Sequence, residues 1–150
     1  MCAAVALLCS TTTPLMRIGY VASFASKLAD TASSEIGKAY GSTTYLITNL
    51  QPVPRGTEGA VSGEGTGAGV VAAIGVAAVG WVLGQVNGRG VVAVVVAAVL
   101  ANIGESVVGA RVQGRVGWVT NDVVNSMQIT FASVVSILLY MHMPSSLMLL

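Results

Sequence analysis

Residues 65–86 form a run of twenty-two residues without a single Asp, Glu, Lys or Arg. As a helix rising about 1.5 Å per residue, such a run spans roughly 33 Å, enough to cross a bilayer core. Two further runs repeat the pattern. Val91 to Ala110 is apolar apart from Asn102 and Glu105 as its main polar interruptions, and Val123 to Met143 again carries no acidic residue, Lys or Arg before Pro144. Asn87-Gly88-Arg89-Gly90 has turn chemistry and makes the first two runs a helical hairpin, while the polar stretch Arg111 to Asp122 leads to the third. The runs are too long for the roughly 10-residue alternating strands of a membrane barrel. The expected fold is therefore all-α: a polytopic membrane protein with about three transmembrane helices in one integral-membrane domain, residues 1–150.

Composition agrees. Hydrophobic residues make up 54% and charged residues 9%, with mean hydropathy +0.79; a soluble domain carries about 25% charged residues. A net charge of +1 gives no electrostatic footprint for a nucleic-acid backbone, which excludes that partner class. Cys2 and Cys9 are the only cysteines and cannot staple the chain as a disulfide scaffold. The glycines lie inside the apolar runs or in one loop; on the first crossing Gly65/Gly69 and Gly80/Gly84 have the GxxxG spacing of close helix packing.

The start of the chain is less regular. Met1 to Cys9 is apolar but too short to span, and it has neither the positive n-region of a secretory signal nor the Arg- and Ser-rich character of a transit peptide. From Leu15 to Tyr40 the pattern is amphipathic. Lys27, Asp30, Thr31, Ser34, Glu35 and Lys38 share one face, opposite Leu28, Ala29, Ala32 and Ile36. This predicts a helix that either lies on the membrane surface or is partly inserted. With three crossings, the segment before Gly65 and the Arg111 to Asp122 connection share one side of the membrane. Arg55, Arg111 and Arg115 lie there against Arg89 on the other, so the positive-inside rule makes that side cytoplasm-like, or stromal in a plastid.

Most acidic residues gather toward the same side. Glu105, about five residues inside its helix end, is the most informative, because ionisable groups at membrane depth are costly. Two readings stand for it: a member of an interhelical hydrogen-bond network, paired with Lys27 or Lys38, or a ligand to a metal ion. Magnesium prefers hard oxygen ligands, and Asp30, Glu35, Glu105 and Asp122 offer them from three helices, with Asn102 on the face of Glu105. The segment Pro52-Val53-Pro54-Arg55-Gly56-Thr57-Glu58-Gly59-Ala60-Val61-Ser62-Gly63-Glu64-Gly65-Thr66-Gly67 opens the first crossing. It reads either as a flexible linker or as an anion site, in which glycine-rich backbone and a helix N-terminus meet phosphate and Arg55 adds a fork. In Asn121-Asp122-Val123-Val124-Asn125, Asp122 and Asn125 share a face, with an N-cap as the plain alternative for Asp122. His142 stands alone at the opposite end, so no Ser-His-Asp or Cys-His system can be assembled.

Taken in order, Phe24-Ala25-Ser26-Lys27-Leu28-Ala29-Asp30-Thr31-Ala32-Ser33-Ser34-Glu35-Ile36-Gly37, the loop from Pro52 to Ser62, Glu64-Gly65-Thr66, Ala101-Asn102-Ile103-Gly104-Glu105-Ser106 and Asn121-Asp122-Val123-Val124-Asn125 resemble the integral-membrane family that includes plant phytyl-phosphate kinase and transmembrane-protein-19-like proteins. The resemblance covers about residues 21–137. In the plant branch it implies phosphoryl transfer from a nucleoside triphosphate to phytyl monophosphate, giving phytyl diphosphate for tocopherol synthesis at the chloroplast envelope. The catalytic set it suggests here is Lys27, Asp30, Glu35, Glu105 and Asp122, with Mg²⁺ as cofactor. Substrate and nucleotide would be met by Arg55, Gly56, Thr57, Glu58, Gly59, Ser62, Glu64, Gly65, Thr66, Asn102, Asn121 and Asn125. Family members carry helices before the Lys27 to Glu35 segment where this sequence has a short apolar stub, so it reads as the N-terminally truncated, C-terminal part of a longer family domain. A prenyltransferase-type lipid-diphosphate enzyme, which Asn121-Asp122-x-x-Asn125 faintly resembles, is the rival enzymatic reading. A transporter or assembly fragment is the non-catalytic one.

Overall fold

The computed structural model describes residues 14–112 and 120–144. The apolar stub Met1 to Cys9, Arg115 and most of the connection before Asn121 lie outside them. Four helices dominate: α1 (Pro14–Tyr40), α2 (Gly63–Val82), α3 (Gly88–Arg111) and α4 (Asn121–His142). Helices α2, α3 and α4 are each long and apolar enough to cross a membrane, as the three uncharged runs predict.

Helix α1 does not lie flat on the membrane surface. Ile18, Val21, Ala22, Ala25 and Ala29 repeat at helical spacing and are essentially inaccessible, and α1 packs against all three spans. The reason is what its apolar face meets. Ala73 and Ala77 of α2 and Val94 and Ala98 of α3 join it in one core cluster. Most of these side chains are small, so the helices are held by close backbone approach, the usual device where lipid tails are as apolar as the core.

The spacing Gly65/Gly69 is used in this way. A Cβ on Gly65 would stand 2.6 Å from the Ser33 carbonyl oxygen, and one on Gly69 would stand 3.0 Å from that of Ala29. Gly80 continues the buried face against Val21. Gly84 does not belong to it, and the second GxxxG pair is not a packing motif. With φ of +66° Gly84 terminates α2 in the left-handed conformation, while Gln85 N–H donates to Gly80 C=O (2.8 Å) and Gly84 N–H to Trp81 C=O (2.9 Å). That is a Schellman ending, which satisfies carbonyls the helix would leave open.

At this end Asn87 caps α3, its side chain accepting from Gly90 N–H (3.0 Å). Arg89 is not a loop charge facing water. It is 8% exposed, donates to the carbonyl oxygens of Tyr140 (2.7 Å) and Met143 (2.8 Å), and stacks 4.6 Å from the Tyr140 ring centre. A cation on the last carbonyls of α4 offsets the helix dipole and closes the bundle. Arg89→Met should therefore lower stability by about 2 kcal/mol through loss of charged hydrogen bonds. Thermal unfolding in detergent reads this, and an unchanged midpoint would refute the clamp.

A polar seam joins α1 to α4. Gln128 donates to Ser26 C=O (3.1 Å) and Ser133 to Gly19 C=O (2.9 Å). At the opposite end from Arg89, the segment between α1 and α2 is folded back on itself. β1 (Tyr45–Leu46) pairs antiparallel with β2 (Ala60–Val61), with Tyr45 opposite Val61 and Leu46 opposite Ala60. This two-residue ladder is too small to change the all-α class, but it holds the glycine-rich loop against the bundle.

Candidate functional site

The loop, the second half of α1, the start of α2, the end of α3 and the first residue of α4 enclose a cleft of about 500 Å³. Three facts of local structure build it. Ser62 caps α2, accepting from Gly65 N–H (3.0 Å), which fixes where the loop becomes helix. Glu64 accepts from the Ser42 N–H (3.0 Å) and hydroxyl (2.6 Å), tying α2 to the end of α1. Gly59 presses on the last turns of α3. With φ of +74° it takes a left-handed conformation, and a Cβ there would lie 2.6 Å from the Ser106 carbonyl oxygen. Only glycine meets both demands, and the contact brings Glu58 to the α3 wall.

Lys27 organises the α1 wall. Its ammonium donates to Asp30 (2.8 Å) and, across the bundle, to Asn125 of α4 (2.8 Å). An ammonium has three N–H donors, so one remains for the cleft that Lys27 lines. Glu105 stands half-buried on the facing wall. Among the described residues it has neither hydrogen bond nor ion pair; the charged groups acting on it are Asp30, Glu58 and Lys27. Lys27 is thus the neighbour of Glu105 but the salt-bridge partner of Asp30, and Lys38 pairs with Glu35 (3.2 Å). The hydrogen-bonded pairing of Glu105 with either lysine is absent from the described residues. Asn102, one turn away, donates to Ser33 of α1 (2.8 Å), a contact made possible by Gly69 between them.

The cleft collects Lys27, Asp30, Glu35, Gly56, Thr57, Glu58, Gly59, Ser62, Gly65, Thr66, Asn102, Glu105 and Asn121 of the residues singled out in the sequence. Four others are not on its wall. Arg55 donates to Ala39 C=O at the end of α1 (3.4 Å), Glu64 is held by Ser42, and Asn125 holds Lys27 from behind. Asp122 is exposed in the first turn of α4, whose N-cap is Thr120, so Asp122 is neither the cap nor part of the cleft. Ser33, which lines the cleft and accepts from Asn102, is a residue that sequence reasoning missed, because it lacks a motif of its own; Glu58, singled out with the loop, lies in the same cleft as Glu105.

Among the described residues no three His, Cys, Asp or Glu side chains converge as a ready-made metal cage. The metal-ligating atoms present are hard oxygens, from Asp30, Glu35, Glu58, Glu105, Asn102 and several hydroxyls. That chemistry fits Mg²⁺, which needs only one or two carboxylates when water and phosphate oxygens complete its shell.

The profile of a family described as integral membrane protein DUF92 matches residues 1–133. The chain is a DUF92 protein. Its sequence is 52% identical to protein VTE6, chloroplastic, of Arabidopsis thaliana, over 83% of this chain and 38% of that protein. It is 49% identical to an uncharacterized membrane protein of Synechocystis, over 81% and 47% of the two chains. An uncharacterized membrane protein of Methanocaldococcus jannaschii is 33% identical, over 82% and 51%. This DUF92 chain therefore spans about two fifths to one half of the length of these relatives. No solved structure matches it. Membrane residence and lipid as surroundings follow from the family and the three spans together.

Proposed function

We propose that the cleft transfers a phosphoryl group from a nucleoside triphosphate to an isoprenoid monophosphate, phytyl phosphate to phytyl diphosphate being the reaction favoured by the family resemblance. The observation that carries this reading is one cleft lined by Lys27, Lys38 and the carboxylates of Asp30, Glu35, Glu58 and Glu105, with Val70, Val99 and Ile103 also in its lining. Such a site suits a polyanionic head on an apolar tail.

In the reaction an oxygen of the acceptor phosphate attacks the γ-phosphorus, the bond to the β–γ bridging oxygen breaks, and nucleoside diphosphate leaves. The attacking oxygen is already anionic, so no general base is needed. His142, whose Nδ1 lies 2.8 Å from Leu138 C=O at the far end of α4, has no part in it. What the chain must supply is positioning and charge. Lys27 directs its third donor to a phosphate oxygen, held in aim by Asp30 and Asn125. The loop from Gly56 to Gly59 offers backbone close to the phosphates. Glu105, with Asp30 or Glu58 as a second carboxylate, would hold Mg²⁺ together with water and phosphate oxygens, with Asn102 as a neutral oxygen donor; when bound, the ion would offset the charge of two polyanions. The outward placement of Asp122 weighs against a prenyltransferase reading, which needs that acidic group at the diphosphate. The chloroplastic relative supports a chloroplast membrane as the location.

The test is a product assay on full-length protein with two substrate pairs, nucleoside triphosphate plus phytyl monophosphate, and phytyl diphosphate plus an aromatic acceptor. Diphosphate formation from the first pair, lost in excess chelator, is expected. Turnover of the second pair instead would overturn the reaction, and full turnover in chelator would remove the cation from it.

Orientation gives a further expectation. Soluble nucleotide must reach the cleft, so the face bearing the loop is stromal or cytoplasmic. With Cys2 and Cys9 changed to Ser, a cysteine at the exposed Gln51 should be labelled from that compartment. Labelling only from the opposite one would reverse the topology.

A further inference from the structure

We infer that the lipid substrate enters and is held laterally, through a seam between α2 and α3, with its methyl-branched hydrocarbon chain against Val70, Val99 and Ile103. The inference rests on the proposed reaction for the identity of the head group, but the seam itself is a feature of the fold.

The lining of the cleft changes character with depth. Along α2 it passes from Ser62, Gly65 and Thr66 to Val70; along α3, running the other way, it passes from Ser106 and Glu105 through Asn102 to Val99. Val70 lies seven residues past the start of α2, or about 10 Å down the helix axis at about 1.5 Å per residue. Polar mouth and apolar floor thus follow the membrane normal. The charged head stays at Lys27, and the chain continues into hydrocarbon.

The floor opens toward lipid rather than into the bundle. Ile103 lines the cleft and is still 44% exposed. One turn beyond Val70 on the same side of α2, Ile74 is 49% exposed; beside Val99 on α3, Val96 and Leu100 are exposed at 39% and 46%. Gly67, next to the Thr66 lining residue, has no atom within 4 Å of where a Cβ would be. Helix α1 bounds the opposite side, where Ser33 and Asn102 meet across Gly69, and of the described residues of α4 Asn121 lines the cleft. The apolar lining residues Val70 and Val99, deep in the cleft, and Ile103, nearer its mouth, offer no hydrogen-bonding side chain, so the seam suits an unfunctionalised hydrocarbon.

Two measurements on full-length protein in vesicles test this. A photoreactive diazirine isoprenoid monophosphate should give adducts concentrated on α2 and α3 around Val70, Val99 and Ile103, suppressed by excess phytyl monophosphate. Val99→Trp should reduce the ratio of kcat/KM for a twenty-carbon over a five-carbon isoprenoid monophosphate at least ten-fold. Adducts on α1 or α4, or labelling that excess phytyl monophosphate leaves unchanged, would overturn the portal, as would an unaltered chain-length ratio. Competed adducts on the seam without any diphosphate product would keep the portal and refute the reaction. The two ideas therefore fail separately.

Discussion

Glu105→Gln should lower lipid-diphosphate formation by about 10²-fold or more at matched amounts of folded protein, the usual cost of removing one charge-stabilising contact from a transition state. The substitution keeps the volume of the side chain and much of its hydrogen-bonding capacity. Because Glu105 has no hydrogen bond or ion pair with any described residue, little native structure depends on its charge. Burying a carboxylate without a partner is unfavourable, and a cleft that retains one has a use for it. Glu58→Gln, measured alongside, should cost less, since Glu58 is exposed and water and salt screen its charge. If Glu105 served packing alone, the variant would lose abundance or melt earlier and keep its turnover per folded molecule. Near-wild-type turnover rejects the catalytic assignment.

The second large effect is structural, and it sets two identical substitutions against each other. Gly65→Ala should destabilise the protein by about 1–3 kcal/mol, the range for forcing extra volume into a tight contact. Its new methyl would face the Ser33 carbonyl oxygen at 2.6 Å, backbone against which nothing flexible can give. Gly67→Ala, two residues along the same helix, meets nothing within 4 Å. It should be neutral or stabilising by up to about 1 kcal/mol, because alanine favours helix over glycine. Detergent melting curves of both variants decide the matter. Equal effects would mean that the α1–α2 contact is looser than the geometry requires. Loss of diphosphate formation in Gly65→Ala alone would further connect that contact to the cleft, through Ser33 and its bond to Asn102.

Hydropathy and helical periodicity depend only on neighbouring residues, so the chain carried its spans openly. Uncharged runs of twenty residues admit a helix across lipid and little else, and all three appear within a few residues of their expected limits. The turn at Asn87 and the polar face from Lys27 to Lys38 were legible for the same reason. GxxxG spacing was a weaker guide: Gly65/Gly69 lies in a contact and Gly80/Gly84 straddles a helix end, since a spacing records face but not partner. What only the tertiary structure decided is which polar groups meet. The sequence offers Asp30, Glu35, Glu105 and Asp122 together as oxygen ligands, yet Glu35 pairs with Lys38 at the cleft wall, Asp122 is exposed off that wall, and the loop residue Glu58 joins Glu105 and Asp30 in the cleft. That choice depends on how each helix is rotated about its axis and on the left-handed Gly59 seated against α3. Both are set by contacts between residues far apart in the chain, and local pattern cannot encode them.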